Sequence, residues 1–390
     1  MVHKMGINKK YYEENDVKKI CYIVTIPETI EAFFISQLVY LSENGFEVTV
    51  ICSKVNRLQE KLIGIRCISV DIPRGISFAK MVSAIKKLYF IFIKERFDII
   101  QYSTPNAALC AAIAGWLSRI KSRNYHIMGF RYLGERNIVK EFLKLLEKLT
   151  CVLSTSIECV SKSNLELGIR EHIFSKTKAV LIWNGSSGGV DLVKFNYANR
   201  DKYREEIREK YYINSTEFVF GFVGRITKDK GINEILEAYG KINLGKLFLI
   251  GNIEDGNSLD NTLYKKSIEN DNIIYTGAVS QVEKYYAAID VLLLPSYREG
   301  FGNVIIEAGA MGTPAIISNI PGPVDAVIAN RTALIVPAKD ADSLCRAMKK
   351  IMHLDYKLMG DEARAFIENN FSSQKLNQYI LERKCNLFNN

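Results

Sequence analysis

Two glutamates eight residues apart, Glu299 and Glu307, flank Gly300-Phe301-Gly302-Asn303 in the stretch of the chain best equipped for chemistry. Carboxylates accept hydrogen bonds from vicinal hydroxyls. The first glutamate sits in an expected loop and the second in an expected helix, so they should meet one elongated ligand at two places rather than share a proton. The all-apolar run 291–294, closed by Pro295, reads as a strand buried on both faces. Gly300 and Gly302 let the backbone turn and approach a ligand closely, and Asn303 reads as the N-cap of a helix over 304–311. The helix dipole and its open N–H groups would then point past the carboxyl edge of the strand, a place suited to phosphate.

A cationic turn, Gly224-Arg225-Ile226-Thr227-Lys228-Asp229-Lys230-Gly231, follows an apolar strand at 218–223 and precedes an amphipathic helix at 232–241. Arg225 offers a planar fork to phosphate and Lys230 a point charge. The elements that must position these groups form an alternation. Strands are expected at 19–25, 47–52, 67–71, 98–102, 125–128, 157–161 and 179–182, with helices at 29–44, 77–94, 106–119 and 138–149. After the glycine-rich punctuation at 184–192 the pattern restarts, with strands at 218–223, 247–251, 273–276, 291–294, 315–318 and 333–336. Such alternation predicts α/β domains with parallel sheets. The loop 25–29 lacks a three-glycine fingerprint, which argues against a nicotinamide or flavin cofactor.

The glutamate spacing, the Glu-Gly-Phe-Gly core and the following Ile305-Ile306-Glu307-Ala308 resemble the donor-site motif of family 4 retaining glycosyltransferases. The Gly-Arg…Lys-Gly turn resembles that family's diphosphate clamp. Asn184-Gly185-Ser186-Ser187-Gly188-Gly189-Val190-Asp191 resembles its interdomain segment, in the longer form of the capsule and lipid-linked oligosaccharide branch. The resemblance implies the GT-B fold, two facing Rossmann-like domains with a cleft between them. Its expected parts are an acceptor-binding domain over 1–183, a hinge over 184–192, a donor-binding domain over 193–373 and a C-terminal helix over 374–390 packing back on the first domain.

The same resemblance assigns roles. Glu299 would meet the transferred sugar, Glu307 the ribose, and Arg225 and Lys230 the diphosphate of a nucleotide-sugar, with uridine the favoured base. Gly277, Gly300, Phe301, Gly302 and Asn303 complete the expected donor-binding set. The family's histidine before the glycine of Tyr125-His126-Ile127-Met128-Gly129 is replaced here by Met128. His126, two residues earlier on the same side of the strand, is either its catalytic substitute or a packed core histidine. Arg331-Thr332 also departs from the family's usual Asn-Gly.

Composition limits the alternatives. At 390 residues, 48% hydrophobic and 24% charged, the chain reads as two ordinary globular domains. It has no apolar run long enough to span a membrane, no leader-like run in the first 18 residues and no C-x-x-C among its eight cysteines, so a cytoplasmic protein is expected. Histidines 3, 126, 172 and 353 share no ligand spacing. Asp340-Ala341-Asp342 fits a metal-binding pattern but opens a helix, where acids act as cap and dipole partners, so neither a metal nor a cofactor beyond the nucleotide-sugar is expected.

Residues 1–190 hold 27 Lys and Arg against 17 Asp and Glu, an excess of +10, while residues 191–390 come to −1. No motif favours nucleic acid. The excess suits an anionic membrane surface or a phosphorylated acceptor, or else is a solvated face. On the acceptor or membrane side stand Arg74, Lys80, Lys86, Lys87 and Lys94, interleaved with Phe78, Leu88, Tyr89, Phe90 and Phe92, and a second basic turn at Arg119, Lys121 and Arg123. The reading is a retaining, metal-independent hexosyl- or N-acetylhexosaminyltransferase, peripheral on the inner face of the membrane and acting on a polyprenyl-diphosphate-linked glycan. Alternatives are a non-catalytic sugar-nucleotide-binding partner and a nucleotide-sugar epimerase on the same fold.

Overall fold

The computed structural model describes residues 17–389 apart from 76, 243 and 255–258. The expectation that no leader precedes the first domain falls largely on residues 1–16, outside the described residues. The first sheet contains β1 (Lys18–Ile23), β2 (Phe46–Cys52), β3 (Arg66–Ser69), β4 (Ile99–Tyr102), β5 (Ser122–Ile127), β6 (Ser156–Cys159) and β7 (Ala179–Leu181). The second contains β8 (Val219–Val223), β9 (Lys246–Ile250), β10 (Ile273–Gly277), β11 (Val291–Leu294), β12 (Ala315–Ser318) and β13 (Ala333–Val336). Their orders are β3-β2-β1-β4-β5-β6-β7 and β10-β9-β8-β11-β12-β13, with parallel pairing between neighbouring strands. In each, the order reverses beside the first strand, which leaves a crevice at the carboxyl edge.

Helices of the first domain are α1 (Pro27–Phe33), α2 (Ile35–Glu43), α3 (Asn56–Lys61), α4 (Phe78–Glu95), α5 (Pro105–Leu117), α6 (Asn137–Leu153) and α7 (Lys162–Arg170). Those that follow are α8 (Arg200–Lys210), α9 (Ile232–Ile242), α10 (Asn261–Ile268), α11 (Val282–Ala288), α12 (Asn303–Ala310), α13 (Ala341–Met352), α14 (Tyr356–Asn370) and α15 (Ser373–Asn389). Leu88 and Phe92 of α4, Ala111 of α5 and Leu143 of α6 fill the core on one face of the first sheet. Ile30, Leu38, Leu58 and, from α15, Leu376 and Ile380 fill the other.

The helix expected over 29–44 is two, broken at Phe34, whose ring is buried edge-on to Tyr22 at 5.8 Å. α8 escaped the periodicity argument because it is almost wholly charged. Its Arg208 points inward and bonds Asp290 at 2.8 Å, so a charge occupies the position where an apolar residue would signal the buried face.

The chain crosses between the domains twice, side by side. Val190 donates its N–H to the Phe371 carbonyl at 2.8 Å, and Ser373 donates to the Val190 carbonyl at 2.9 Å. Asn184 Nδ2 reaches Asn370 Oδ1 at 3.2 Å. Beyond the second crossing, α15 places Lys384 wholly inside the first domain, with Nζ 2.8 Å from both Glu158 carboxylate oxygens. Burial alone would raise the Glu158 pKa, but the Lys384 ammonium and its neighbours hold the carboxyl below its usual range.

A buried pair tolerates the loss of both partners better than the loss of one, because a single deletion strands a charge. Lys384→Met should therefore destabilise the first domain by about 3–5 kcal/mol in urea unfolding. Combining it with Glu158→Gln should restore much of that loss; a double variant whose loss equals the sum of the two single losses would show that the pair is not coupled.

Candidate active site

The site is assembled where the loops after β8 and β11 face the loop after β5. Glu299 accepts from Lys230 Nζ at 2.6 Å and from Ser296 Oγ at 2.8 Å through the same oxygen, Oε1. Both members of the ion pair are mostly buried, with side-chain exposures of 19% and 13%. Thus the groups expected to hold a diphosphate and a sugar are bonded to each other. Arg225 lies on the same turn but is half exposed and bonds Glu254 at 2.7 Å. Asp229, between the two cations, accepts from Thr227 Oγ1 at 2.6 Å and pairs with Arg298 at 3.3 Å.

Gly302, in the left-handed region at φ 93°, is the N-cap of α12 and supplies no side chain. The expectation that Asn303 caps the helix is therefore corrected: Asn303 is the first helical residue, and its Oδ1 accepts from Ser186 Oγ at 3.2 Å. The first-turn N–H groups lack a side-chain cap, which leaves this helix end suited to an anion. Phe301 is buried, its ring 5.2 Å from Phe371, so among the expected donor contacts it can contribute only through its backbone.

Glu307 lies further along α12 and accepts from Tyr286 OH at 2.8 Å. The residue keeps some exposed surface, but its carboxyl is set deep among protein groups, and burial pushes its pKa up to about 7. Gly277 ends β10, at the edge of the sheet away from β13, with φ 68° and open space where a side chain would stand.

Across the cleft, Gly300 touches the acceptor half. A methyl group on it would stand 2.2 Å from the Met128 carbonyl oxygen, and one on Gly129 would stand 3.0 Å from Gly300 Cα. Met128 is therefore beside the Glu299 loop through its backbone. His126 is not: it is buried on β5, bonded to Ser103 Oγ at 3.3 Å and edge-on to Phe34 at 5.4 Å. Burial lowers its pKa to about 4, so the ring is neutral at ordinary pH. Of the two readings left open by the sequence, the packing fits the core histidine.

Four contacts across the cleft come from a helix start that lies outside the expected elements, one of them the Gly322 N–H donating to Ser163 Oγ at 2.7 Å. Asn164 Nδ2 donates to the Gly300 carbonyl at 2.8 Å, while Ser163 donates to Asp325 through its N–H at 2.8 Å and its hydroxyl at 2.5 Å. Ser161-Lys162-Ser163-Asn164 was the available signal, since Ser161 Oγ caps α7 by accepting from Asn164 N. On the acceptor side, Lys80, Lys86 and Lys87 are exposed along α4, and Arg74 is exposed in the loop before it. Leu88 and Phe92 instead face the core, being at helical spacing with buried Ala84, and Arg123 spends its guanidinium on the Leu153 and Ile120 carbonyls. Asp340 accepts from Ser343 N at 2.8 Å as the N-cap of α13, and Asp342 pairs with Lys241 at 2.7 Å.

Comparison with known proteins agrees with this geometry. Residues 30–186 match the model for Glycosyltransferase Family 4, and residues 203–372 match that for Glycosyl transferases group 1. The capsular polysaccharide biosynthesis glycosyltransferase CapM of Staphylococcus aureus is 30% identical over 365 residues, covering 92% of this chain and 94% of CapM. The chain belongs to the family 4 glycosyltransferases. An Escherichia coli relative, UDP-Gal:alpha-D-GlcNAc-diphosphoundecaprenol alpha-1,3-galactosyltransferase, is 26% identical with the same two coverages, 92% and 94%. Among solved structures, a glycosyltransferase from Rickettsia africae superposes with a TM-score of 0.79 at 21% identity, covering 96% of this chain and 100% of its own. HepE from Anabaena in complex with UDP-glucose gives 0.73 at 17% identity, covering 94% and 98%. These likenesses establish the GT-B fold of this family 4 member.

Contact between Gly300 and the Met128 carbonyl leaves no room for a side chain. Gly300→Ala should therefore hold the cleft about 1 Å too far open and lower turnover by roughly 10²-fold, with nucleotide affinity nearly unchanged. Steady-state kinetics beside calorimetry with the nucleotide test this; normal turnover would show that the closed contact is not part of the working state.

Proposed function

We propose that the protein moves a hexosyl or N-acetylhexosaminyl group from a UDP-sugar to a polyprenyl-diphosphate-linked glycan, with retention of anomeric configuration, in capsule or surface polysaccharide synthesis at the inner face of the cell membrane. The observation that carries this reading is the position of Glu299, held by Lys230 and Ser296 and placed one residue from the contact with the acceptor half. A sugar held there by its hydroxyls would have its reacting carbon facing the other domain. The names of the two relatives that span the chain, one acting in capsule synthesis and one on a diphosphoundecaprenol-linked sugar, support the same direction.

In this reading the donor diphosphate displaces the Lys230–Glu299 pair. Lys230 and Arg225 turn to phosphate, the open end of α12 adds N–H donors, and Glu299 is released to the sugar hydroxyls. The bond from the anomeric carbon to the phosphate oxygen breaks, and the acceptor hydroxyl forms the new bond on the same face. The proton passes to the departing phosphate. The protein contributes positioning and charge stabilisation and no separate base. The phosphate is neutralised by side chains, so activity is expected to persist in chelator.

Glu299→Ala should lower turnover by roughly 10²-fold or more while folding is retained. Lys230→Ala, which removes a charge-assisted contact, should weaken nucleoside diphosphate binding by roughly 10- to 150-fold. Near-normal turnover in the first, or unchanged affinity in the second, contradicts these roles. A panel of nucleotide-sugars scored by thermal shift identifies the donor, since a ligand at 100 times its dissociation constant adds about 2.7 kcal/mol of stability.

Glu307 supplies a pH test. Its carboxyl keeps a proton up to about pH 7 in the free protein, whereas accepting two ribose hydroxyls favours the ionised form. Binding would then release a proton, and affinity for UDP should rise as pH increases through about 7, by up to about tenfold per unit below it. Glu307→Gln should remove that component while the nucleotide's own titration remains. Identical pH profiles for the two proteins would remove Glu307 from the ribose site.

A further inference from the structure

α6 is apolar on two opposite sides. Leu143, Glu147, Thr150 and Cys151 face the protein, with Glu147 accepting from Tyr125 OH at 2.7 Å. On the other side Ile138, Phe142, Leu145, Leu149 and Val152 recur at steps of four and three residues, a single stripe at helical spacing. The stripe lies open to solvent, from 37% exposed at Phe142 to 85% at Ile138. A helix lying on a domain needs one apolar side to stay there. A second one, contiguous and exposed, marks a surface that binds something.

The apolar surface continues onto α4. Phe78 and Val82 are 71% and 65% exposed, and Phe78 shares an open crevice with Phe142 and Leu146 of α6. Arg131, another wall of that crevice, follows Met128 and Gly129 on the loop that meets Gly300. The surface therefore reaches the acceptor side of the cleft. Its charge is positive: Lys140, Lys144 and Lys148 run along one flank of the α6 stripe, and Lys80, Lys86, Lys87 and Lys94 are exposed on α4. Of the two acids of α6, Glu147 is turned inward and Glu141 is exposed against the row of lysines, while Glu171 pairs with Lys144 at 2.7 Å. Among the described residues, no helix is long and apolar enough to cross a membrane.

We propose that the outer surface of α4 and α6 docks on an anionic lipid bilayer, the α6 stripe entering the acyl boundary and the lysines lying over the headgroups. The inference deepens the proposed reaction, and rests on it, by naming the surface on which a lipid-linked acceptor is met. Charge chooses the occupant. A second copy of this chain laid on the same surface would bring lysine rows against each other, whereas anionic headgroups complement them. The expectation from sequence was attraction through charge alone, which is screened within about 8 Å at physiological salt. An inserted stripe adds binding that salt does not remove.

The test is co-sedimentation of the full chain with phosphatidylglycerol–phosphatidylcholine vesicles and with phosphatidylcholine vesicles alone, at about 0.15 M salt. Leu145→Glu with Val152→Glu, and separately Lys86→Glu with Lys87→Glu, alter exposed positions outside the donor site, and UDP affinity is measured on the same preparations. Wild-type protein should partition roughly tenfold more onto the anionic vesicles, and each double variant should lower that partition by roughly tenfold with UDP affinity unchanged. Docking is overturned if wild type ignores anionic vesicles or if the Leu145/Val152 variant binds them as wild type does. It is equally overturned if that variant only converts a dimer to a monomer. Absence of UDP binding in every protein contradicts the proposed reaction instead, and leaves the vesicle result to be read by itself.

Discussion

The close approach of Gly300 to the Met128 carbonyl is the constraint on which the rest of the cleft depends. A backbone-to-backbone contact has no side chain that can relax, so the loop after β11 and the loop after β5 meet at closest packing. Asn164, at the start of α7, adds a directional bond to the Gly300 carbonyl, and Ser163 beside it bonds Asp325, which lies beyond β12. The two crossings, at Val190 and after Phe371, are bonded to each other and so form a two-stranded joint between the domains. Such a joint lets a cleft open for substrates and return to one register.

Electrostatics within the cleft follow from the same closeness. Lys230 and Glu299 are largely out of water and would each bear a desolvation cost alone, which their pairing offsets. Glu307 is handled differently. With no cation within bonding distance among the described residues, it is stabilised by Tyr286 and by burial that favours its protonated form.

Where side-chain pattern alone decides the local structure, the sequence was sufficient. β11, β12 and β13 begin and end where the apolar runs at 291–294, 315–318 and 333–336 do, because strands buried on both faces leave no alternative reading. The glutamate loop and the cationic turn were legible because they are continuous in sequence. What was not legible depends on chain segments far apart. Gly302 takes the cap, and the Asn303 side chain meets Ser186 instead, a partner 117 residues away that no local pattern names. His126 is taken out of consideration by Phe34 and Ser103, which no local pattern connects to it. The cross-cleft role of Ser163 and Asn164 requires knowing that the second domain comes to rest on the start of α7. The α6 stripe is hidden for another reason: apolar residues at helical spacing predict the helix, and that spacing does not say which of its faces meets the domain.

The account holds that both halves of the cleft act on one sugar, and the most direct measurement of that claim is nucleotide release from the preferred UDP-sugar with and without a polyprenyl-diphosphate-linked glycan. Product linkage is read by mass spectrometry and proton coupling at the new anomeric centre. Release that depends on acceptor, with one sugar added per nucleotide and the donor's configuration preserved, is the expected result. Release of equal rate without acceptor, or conversion of the donor to its epimer with no glycan extended, would contradict it.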